Sequence, residues 1–285
     1  MLKELKICPI DAKIANEFIK IYHYSKKYVP NSQIHFGIFH KNLLHGVIQF
    51  GPSMDKRRMA KNLGLDINSF LEINRMAFDN YLPKNSESRC LSIAMKIIKK
   101  NFKKVKYILT FADATQCGDG TIYRAVNFNL LGIKKNNSQL KLTKKAIEIV
   151  RQFIDLKTDI IAQKSLDDHM HNGKYLSYYA KKYGSKPVKG FQIKYIYALY
   201  GDYDRFHTIP YSRIKEKKAC MYKGMRVEHE SNALTYHVKE SGAIPTDTLQ
   251  KKMKKRLKNQ KKNVRIVVKS SNKMGGKWGN GKNAK

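Results

Sequence analysis

Acidic residues are scarce: 22 Asp and Glu face 57 Lys and Arg, which leaves a formal charge of +35 on 285 residues. A free enzyme acting on small neutral substrates has no use for that self-repulsion, so the imbalance asks for a polyanionic partner. Nucleic acid comes first, because each phosphate neutralised by Lys or Arg releases condensed counterions; an anionic membrane surface is the rival. Long apolar runs are missing too. No stretch approaches the roughly 20 residues of a spanning helix and the N-terminus has no signal-like apolar run, which disfavours the membrane and predicts a cytoplasmic protein. Cysteines are few and far apart: Cys8, Cys90, Cys117 and Cys220 form no CxxC pair and have no His pair beside them. They read as reduced thiols, and no metal site is expected from them. Helix-turn-helix and zinc-finger signatures are likewise absent; a Lys-rich surface positions a backbone, and the composition names no recognition sequence.

What is present over the first 200 residues is an alternation of strand-like and helix-like segments, which points to an α/β domain. Residues 2–9 form a short apolar run, and Asp11 is placed to cap a helix carrying Ile14, Phe18, Ile21 and Tyr22 on one face. Residues 34–40 and 44–50 read as a hairpin stopped by Gly51-Pro52, and 71–78 as a further strand. The stripe Leu91, Ala94, Met95 and Ile98 predicts a helix over 88–102. A buried strand over 105–111 leads into a loop at 114–120, and the pattern then predicts a helix over 121–131 closed by Gly132. About 134–187 is a Lys-rich insertion with helices expected over 143–156 and 174–182, and 191–200 supplies a late aromatic strand. Residues 201–250 are expected to form an irregular extension packed on the core. The last 35 residues hold 14 Lys and Arg and no acid, a composition that suits a disordered tail, either meeting phosphate or merely solubilising the chain.

This order matches the GNAT acyltransferase fold, a mixed sheet with flanking helices, except that one first helix is visible where that fold often has two. Such folds cradle a pyrophosphate where a strand leads into a helix N-terminus, because unpaired N–H groups and the helix dipole meet there. Here the junction is residues 81–89, with Ser86 or Ser88 able to cap the helix and Arg89 beside them. The spaced glycines usual at that junction are absent, and an ordinary capped helix is the alternative reading.

Several short motifs, taken in order, carry a more specific signal. They are His23-Tyr24-Ser25, Gly46-Val47-Ile48-Gln49-Phe50-Gly51-Pro52, Asn74-Arg75, Asn85-Ser86-Glu87-Ser88-Arg89, Phe111-Ala112-Asp113 and Gly120-Thr121-Ile122-Tyr123-Arg124-Ala125. Lys189-Gly190-Phe191-Gln192 with Tyr195, Met221-Tyr222-Lys223-Gly224, and Ser241-Gly242-Ala243-Ile244-Pro245-Thr246 with Leu249-Gln250 continue the series. Together, over about residues 20–250, they resemble the Mom family of phage DNA-modification proteins. The resemblance implies a GNAT-like enzyme, phage-encoded and at work in the host cell, that adds a carbamoylmethyl (acetamido) group to N6 of adenine in double-stranded DNA and shields it from restriction. It implies acetyl-CoA or another two-carbon carrier as donor, Arg75 on the cofactor side, and Asp113, Tyr123, His23 and Tyr24 at the active centre; Ser86, Ser88 and Arg89 are cofactor-side candidates from the junction itself. The family is linked to iron, yet no two-His-one-carboxylate spacing appears in this chain.

Read from the residues alone, Asp113 ends a buried strand, where α/β sheets open a crevice; it either meets the adenine amino group or makes an Asx turn. Tyr123 and Asn127, four apart on the predicted helix, either converge on a ligand or leave Tyr123 as a core aromatic. His23 is either a surface residue or part of a site. Arg75, flanked by Ile73 and Met76, needs an anionic partner if buried, a ligand phosphate or else Glu72 or Glu87. Arg75, Asp113 and Tyr123 are expected to share one crevice. The position four before Gly132, where ordinary GNAT enzymes carry a general-acid Tyr, is Phe128, which cannot protonate a departing thiolate. For an extruded adenine, Tyr22, Tyr24 and Tyr28 with Lys26 and Lys27, and Tyr178, Tyr179 and Tyr183 with Lys181 and Lys182, offer stacking faces amid positive charge, though packed tyrosines and solvated lysines are the plainer reading. A conventional GNAT acetyltransferase acting on a protein, RNA or small amine, and a non-catalytic nucleic-acid-binding protein, stay open as alternatives.

Overall fold

The computed structural model describes residues 5–156, 158–222 and 225–226. The expectations placed on 227–285, including the motif at 241–250 and the basic tail, lie outside the described residues, as do Lys223 and Gly224. In chain order the elements are β1 (Lys6–Pro9), α1 (Ala12–Tyr22), β2 (Ile34–His40), β3 (Leu43–Gly51), α2 (Lys56–Leu63), β4 (Phe70–Phe78), α3 (Ser86–Asn101), β5 (Tyr107–Asp113), α4 (Thr121–Arg124) and β6 (Asn129–Lys135). Next come β7 (Gln139–Lys141), α5 (Lys144–Val150), β8 (Ile160–Ala162), α6 (Gln163–Asp167), β9 (Met170–His171), β10 (Lys174–Tyr175), α7 (Leu176–Lys182) and β11 (Lys186–Pro187). The late strand β12 (Phe191–Ala198) is followed by α8 (Ser212–Glu216), β13 (Met221–Tyr222) and β14 (Met225–Arg226).

The main sheet has the strand order β1-β2-β3-β4-β5-β12-β6. β4 and β5 run parallel, pairing Phe70–Glu72 with Tyr107–Leu109, whereas β1–β2, β2–β3, β5–β12 and β12–β6 are antiparallel. This is the mixed α/β sheet with flanking helices that the alternation of elements called for. Contacts divide the described chain into two units, one of residues up to Gly51 with Asn74–Lys84, the other of Pro52–Ile73 with the chain from Asn85 onward.

In the first unit, α1 starts where expected: Asp11 accepts a hydrogen bond from the Lys13 N–H at 2.7 Å, satisfying one of the orphan donors of the first turn. Its apolar face buries Ile14, Ala15, Phe18 and Ile19 with Phe39, Val47 and Ala77 in one core. In the second unit, Phe70, Tyr107, Leu109, Ile196, Ala198 and Phe206 form a core that includes the first part of the extension after β12. Residues 136–188 hold a core of their own, built on Leu140, Leu142, Ala146, Val150, Ile161, Leu166, Leu176 and Ala180 around the three-stranded sheet β11-β7-β8.

Besides the short strands of the insertion, which sequence did not anticipate, three places differ from the sequence expectation. The helix expected over 121–131 is a single turn, because Asn127 takes a left-handed conformation (φ 64°) and the chain becomes β6. Gly132 therefore lies inside a strand, and the comparison of Phe128 with a helical general-acid position loses its footing; Phe128 is a fully buried core ring. α2 was not anticipated, although Asp55 caps it and Gly64 ends it at φ 61°. At the pyrophosphate-type junction the N-cap is Asn85 rather than Ser86 or Ser88, and its side chain makes no cap bond.

Candidate functional site

Most of the expected site residues of the first unit gather around His23. This residue terminates α1 and is buried, with its ring 4.4 Å, centroid to centroid, from that of Tyr24. The Ser25 backbone N–H donates to His23 Nδ1 at 3.2 Å, and the Ser25 hydroxyl lies 2.8 Å from the same nitrogen. An Nδ1 that accepts from a backbone N–H carries no proton, so the ring is the Nε2–H tautomer. Burial, then the charges of Arg75 and Lys26, push its pKa down to about 3. His23 is thus neutral across the physiological range and presents a hydrogen-bond donor; it is not poised to trade protons near pH 7.

Arg75 is half-buried on β4, where its Nε donates to the Lys27 carbonyl at 2.9 Å and its guanidinium donates to the Asn74 carbonyl at 2.7 Å. These bonds tie β4 to the loop after α1. Lys26, at φ 52°, turns back so that its ammonium donates to the Ile21 carbonyl, while Lys27 is exposed. Lys20 lies 5.0 Å over the ring of Tyr28. Two further motifs of the series explain why this loop sits where it does. Gly51 has no Cβ, and one built there would meet Asn74 Oδ1 at 2.4 Å and the Asn31–Ser32 backbone; Asn74 accepts from the Ser32 hydroxyl at 2.9 Å in that space. Gln49, fully buried, donates to Asn16 at 2.8 Å and contacts His35 at 3.1 Å. The Gly-Pro and Asn-Arg motifs of β3 and β4 are therefore the scaffold of the His23 loop.

Sequence reasoning missed a second cluster in the same unit. Asp79 accepts from His45 Nδ1 at 2.8 Å, and Tyr81 stacks on the His45 ring with centroids 4.2 Å apart. The Tyr22 phenol is pushed up to about 12, first by burial and then by the Asp79 carboxylate. No signal pointed to the pair, since His45 and Asp79 are 34 residues apart and meet only through the strands that carry them.

In the second unit Asp113 and Tyr123 have different partners. One carboxylate oxygen of Asp113 accepts from the Thr115 N–H (3.0 Å) and hydroxyl, and the other from Gln139 at 3.2 Å; this is the Asx turn that sequence allowed. Tyr123 packs against Phe128 and Tyr195, at centroid distances of 5.7 and 5.8 Å. Burial raises its pKa, with the Thr110 hydroxyl beside it acting the other way. Asn127 is exposed beyond the helix, so it does not share a helical face with Tyr123. The missed partner is Asp119: its carboxylate takes the Thr121 hydroxyl at 2.7 Å and Arg124 at 2.5 Å, and its carbonyl accepts from the buried Tyr195 hydroxyl. Lys194 is half-buried and its pKa is lowered by burial, an effect that the charge of Glu72 opposes.

Ser86 is buried in the first turn of α3, Ser88 donates to the Asn85 carbonyl at 3.1 Å, and Arg89 is exposed. Lys181 and Lys182 are exposed in the last turn of α7. Of the tyrosines there, Tyr183 packs on the inserted core and Tyr179 is half-buried, which leaves Tyr178 to solvent. Among the described residues no group of three or more His, Cys, Asp or Glu is arranged to hold a metal ion, so those residues give no support to the iron that the resemblance raised. No described helix is long and apolar enough to cross a membrane.

Comparison with known proteins adds an independent line. The Mom protein family matches residues 4–214. "Methylcarbamoylase mom" of Escherichia phage Mu is 37% identical over 134 residues, which cover 46% of this chain and 54% of that protein; the chain spans about half the length of the curated relative it matches. Among solved structures, similarity extends to a Bacillus subtilis acetyltransferase in complex with CoA, at 11% identity over 68% of this chain and 97% of that one, with a TM-score of 0.36. A GNAT family acetyltransferase from Elizabethkingia anophelis with acetyl-CoA bound is 12% identical over 69% and 99% of the two chains, with a TM-score of 0.37. With most of its length inside one family match, this chain belongs to the Mom protein family.

Proposed function

We propose that this protein is a transferase that modifies DNA, adding a carbamoylmethyl group to N6 of adenine in duplex DNA within the infected host cell. The observation that carries the reading is the grouping of His23, Tyr24, Lys26, Lys27 and Arg75 in one neighbourhood of a protein with charge +35. A neutral imidazole held as an N–H donor suits an acceptor atom on a base or on the transferred amide, and the lysines suit the flanking phosphates. The donor in this reading is acetyl-CoA or another activated two-carbon unit, with Ser86, Ser88 and Arg89 as candidates for its phosphate side; the cofactor role that the resemblance gives Arg75 is part of the same proposal. The dipole at the N-terminus of α3, which favours an anion, supports phosphate binding there. When bound, an activated carrier of the carbamoylmethyl unit would supply both the methylene carbon to which adenine N6 bonds, with loss of its proton, and the leaving group that departs; acetyl-CoA by itself would supply only an acetyl group. The roles that the family resemblance gives to Asp113 and Tyr123 belong to the same proposal, as does contact of Tyr28, Asn127, Lys181 and Lys182 with DNA.

Mass spectrometry of nucleosides from cells expressing the protein tests this. A carbamoylmethyl-deoxyadenosine is expected with the native chain and is expected to fall at least tenfold with His23→Asn and Arg75→Ala. Unmodified deoxyadenosine alone, from cells where the native protein is soluble and abundant, overturns the proposal. Persistence of the product in Asp113→Ala and Tyr123→Phe would remove those two residues from it.

A further inference from the structure

The inserted region of the second unit carries a surface that the active-centre chemistry does not use. β9 and β10 form a hairpin whose turn, Asn172-Gly173, has positive φ at both positions (46° and 71°), the geometry of a tight type I′ turn. Met170 and Tyr175 are direct cross-strand partners there, and both face solvent, at 55% and 53% exposure. A short hairpin with two large apolar side chains outward would fray by itself, but this one is braced from behind. Tyr179 donates to the His171 carbonyl at 3.1 Å, and the His171 ring lies between those of Tyr179 and Phe153, at 5.2 and 5.3 Å. Lys174, the cross-strand partner of His171, stands 4.3 Å over the exposed ring of Tyr178, and Lys181 and Lys182 follow in α7.

Single exposed apolar residues need no explanation, but a braced pair beside a third exposed aromatic and a row of cations does. Burying Met170 and Tyr175 against a protein would suit an apolar partner; the lysines on the same elements favour one that is flat, aromatic and anionic at its edges. Of the acids just before this hairpin, Asp167 accepts a hydrogen bond from Gln163 at 3.3 Å and Asp168 is exposed. We infer that the Met170–Tyr175 hairpin is a wedge that stacks into an opened base step of duplex DNA, with Lys174, Lys181 and Lys182 on the adjoining phosphates. This deepens the proposed function, resting on its choice of DNA as partner but not on the adenine chemistry: a base drawn out of the stack leaves a space that an apolar side chain can fill.

The test uses the full-length chain and a short duplex with 2-aminopurine at one position. Met170→Ser/Tyr175→Ser is expected to weaken binding by about tenfold or more with an unchanged salt slope, and to abolish the 2-aminopurine fluorescence rise of the native protein. Lys181→Gln/Lys182→Gln is expected to flatten the salt slope by about two, since each phosphate contact contributes about 0.9. Met170→Leu/Tyr175→Phe, which keeps shape and stacking, is expected to retain both signals, so a loss through misfolding is recognised. Unchanged affinity and fluorescence in the Ser double variant overturn the inference, as does an effect of that variant on self-association of the DNA-free protein with none on DNA binding. If the native chain leaves adenine unmodified while the wedge variants still weaken binding, the proposed function fails and the wedge stands; adenine modified by a protein whose wedge variants bind normally gives the converse.

Discussion

Lowering the pH from 7.5 to 4.5 should destabilise the fold through His23, and the size of the effect can be worked from its surroundings. The ring is buried, Nδ1 is already engaged by Ser25, and Arg75 and Lys26 stand near, so its pKa in the folded protein is about 3 against 6.5 in the unfolded chain. Between those two values the unfolded chain binds a proton that the folded chain refuses. Stability from this residue is therefore complete above about pH 6.5 and declines as the pH falls toward 3. Over the interval from 7.5 to 4.5 the loss is about 2–3 kcal/mol, roughly a hundredfold in the folding equilibrium. His35, also lowered by burial, moves stability the same way, and carboxylates begin to titrate near the bottom of the range. A comparison with His23→Asn cancels both, because the Asn amide oxygen can take the Ser25 N–H without acquiring a charge. Urea denaturation of the two proteins at both pH values should show the native chain losing about 2–3 kcal/mol more than the variant. Equal losses, or a His23 ring signal titrating near 6.5 in the NMR spectrum of the folded protein, would refute the reasoning.

Four further outcomes follow from named positions. Arg124→Ala leaves the Asp119 carboxylate, 3% exposed, without its guanidinium; urea denaturation should show a loss of about 3–5 kcal/mol, and less than about 1 would mean that the pair is solvated. Gly190→Ala drives a Cβ to 2.4 Å from Thr115 Cγ2 and 2.8 Å from its backbone at φ 145°, so thermal melts should report a loss above about 2 kcal/mol. Gly173→Ala, with nothing within 4 Å, should lose only about 1 kcal/mol for its positive φ, and equal effects at the two sites would contradict the steric account. Tyr195→Phe removes the buried hydroxyl that donates to the Asp119 carbonyl and should lower stability by about 1–2 kcal/mol; an unchanged denaturant midpoint would mean that the bond contributes nothing.

The parts of the fold legible in sequence are those where one signal dominates. Asp11 followed by an apolar stripe gave α1, the alternating runs up to Gly51-Pro52 gave the β2–β3 hairpin, and the stripe from Leu91 to Ile98 gave α3. α2 was missed because its caps, Asp55 and Gly64, enclose almost no apolar face: of its eight residues only Ala60 is buried. β6 was read as helix because Ile122, Val126 and Leu130 keep helical spacing across Asn127, whose left-handed turn no periodicity reports. The strands of the insertion, two or three residues each, are too short for alternation to register. At the site, His23, Tyr24 and Arg75 were found as motif residues, but the tautomer of His23 depends on a hydrogen bond from Ser25, and the Asp119–Arg124–Tyr195 network depends on a strand 76 residues further along.

The join between the insertion and the sheet has a consequence for how this protein can vary. Lys135 at the end of β6 and Phe191 at the start of β12 are register partners, so the 55 residues between them leave and return at one point. Asn136 fastens that point, donating through its side-chain amide to the carbonyls of Val188 (2.8 Å) and Gln139 (3.2 Å) and through its backbone N–H to that of Gly190 (2.9 Å). With a hydrophobic core of its own beyond such a neck, the inserted module can be lengthened, traded or rebuilt without altering the pairing of the strands it hangs from.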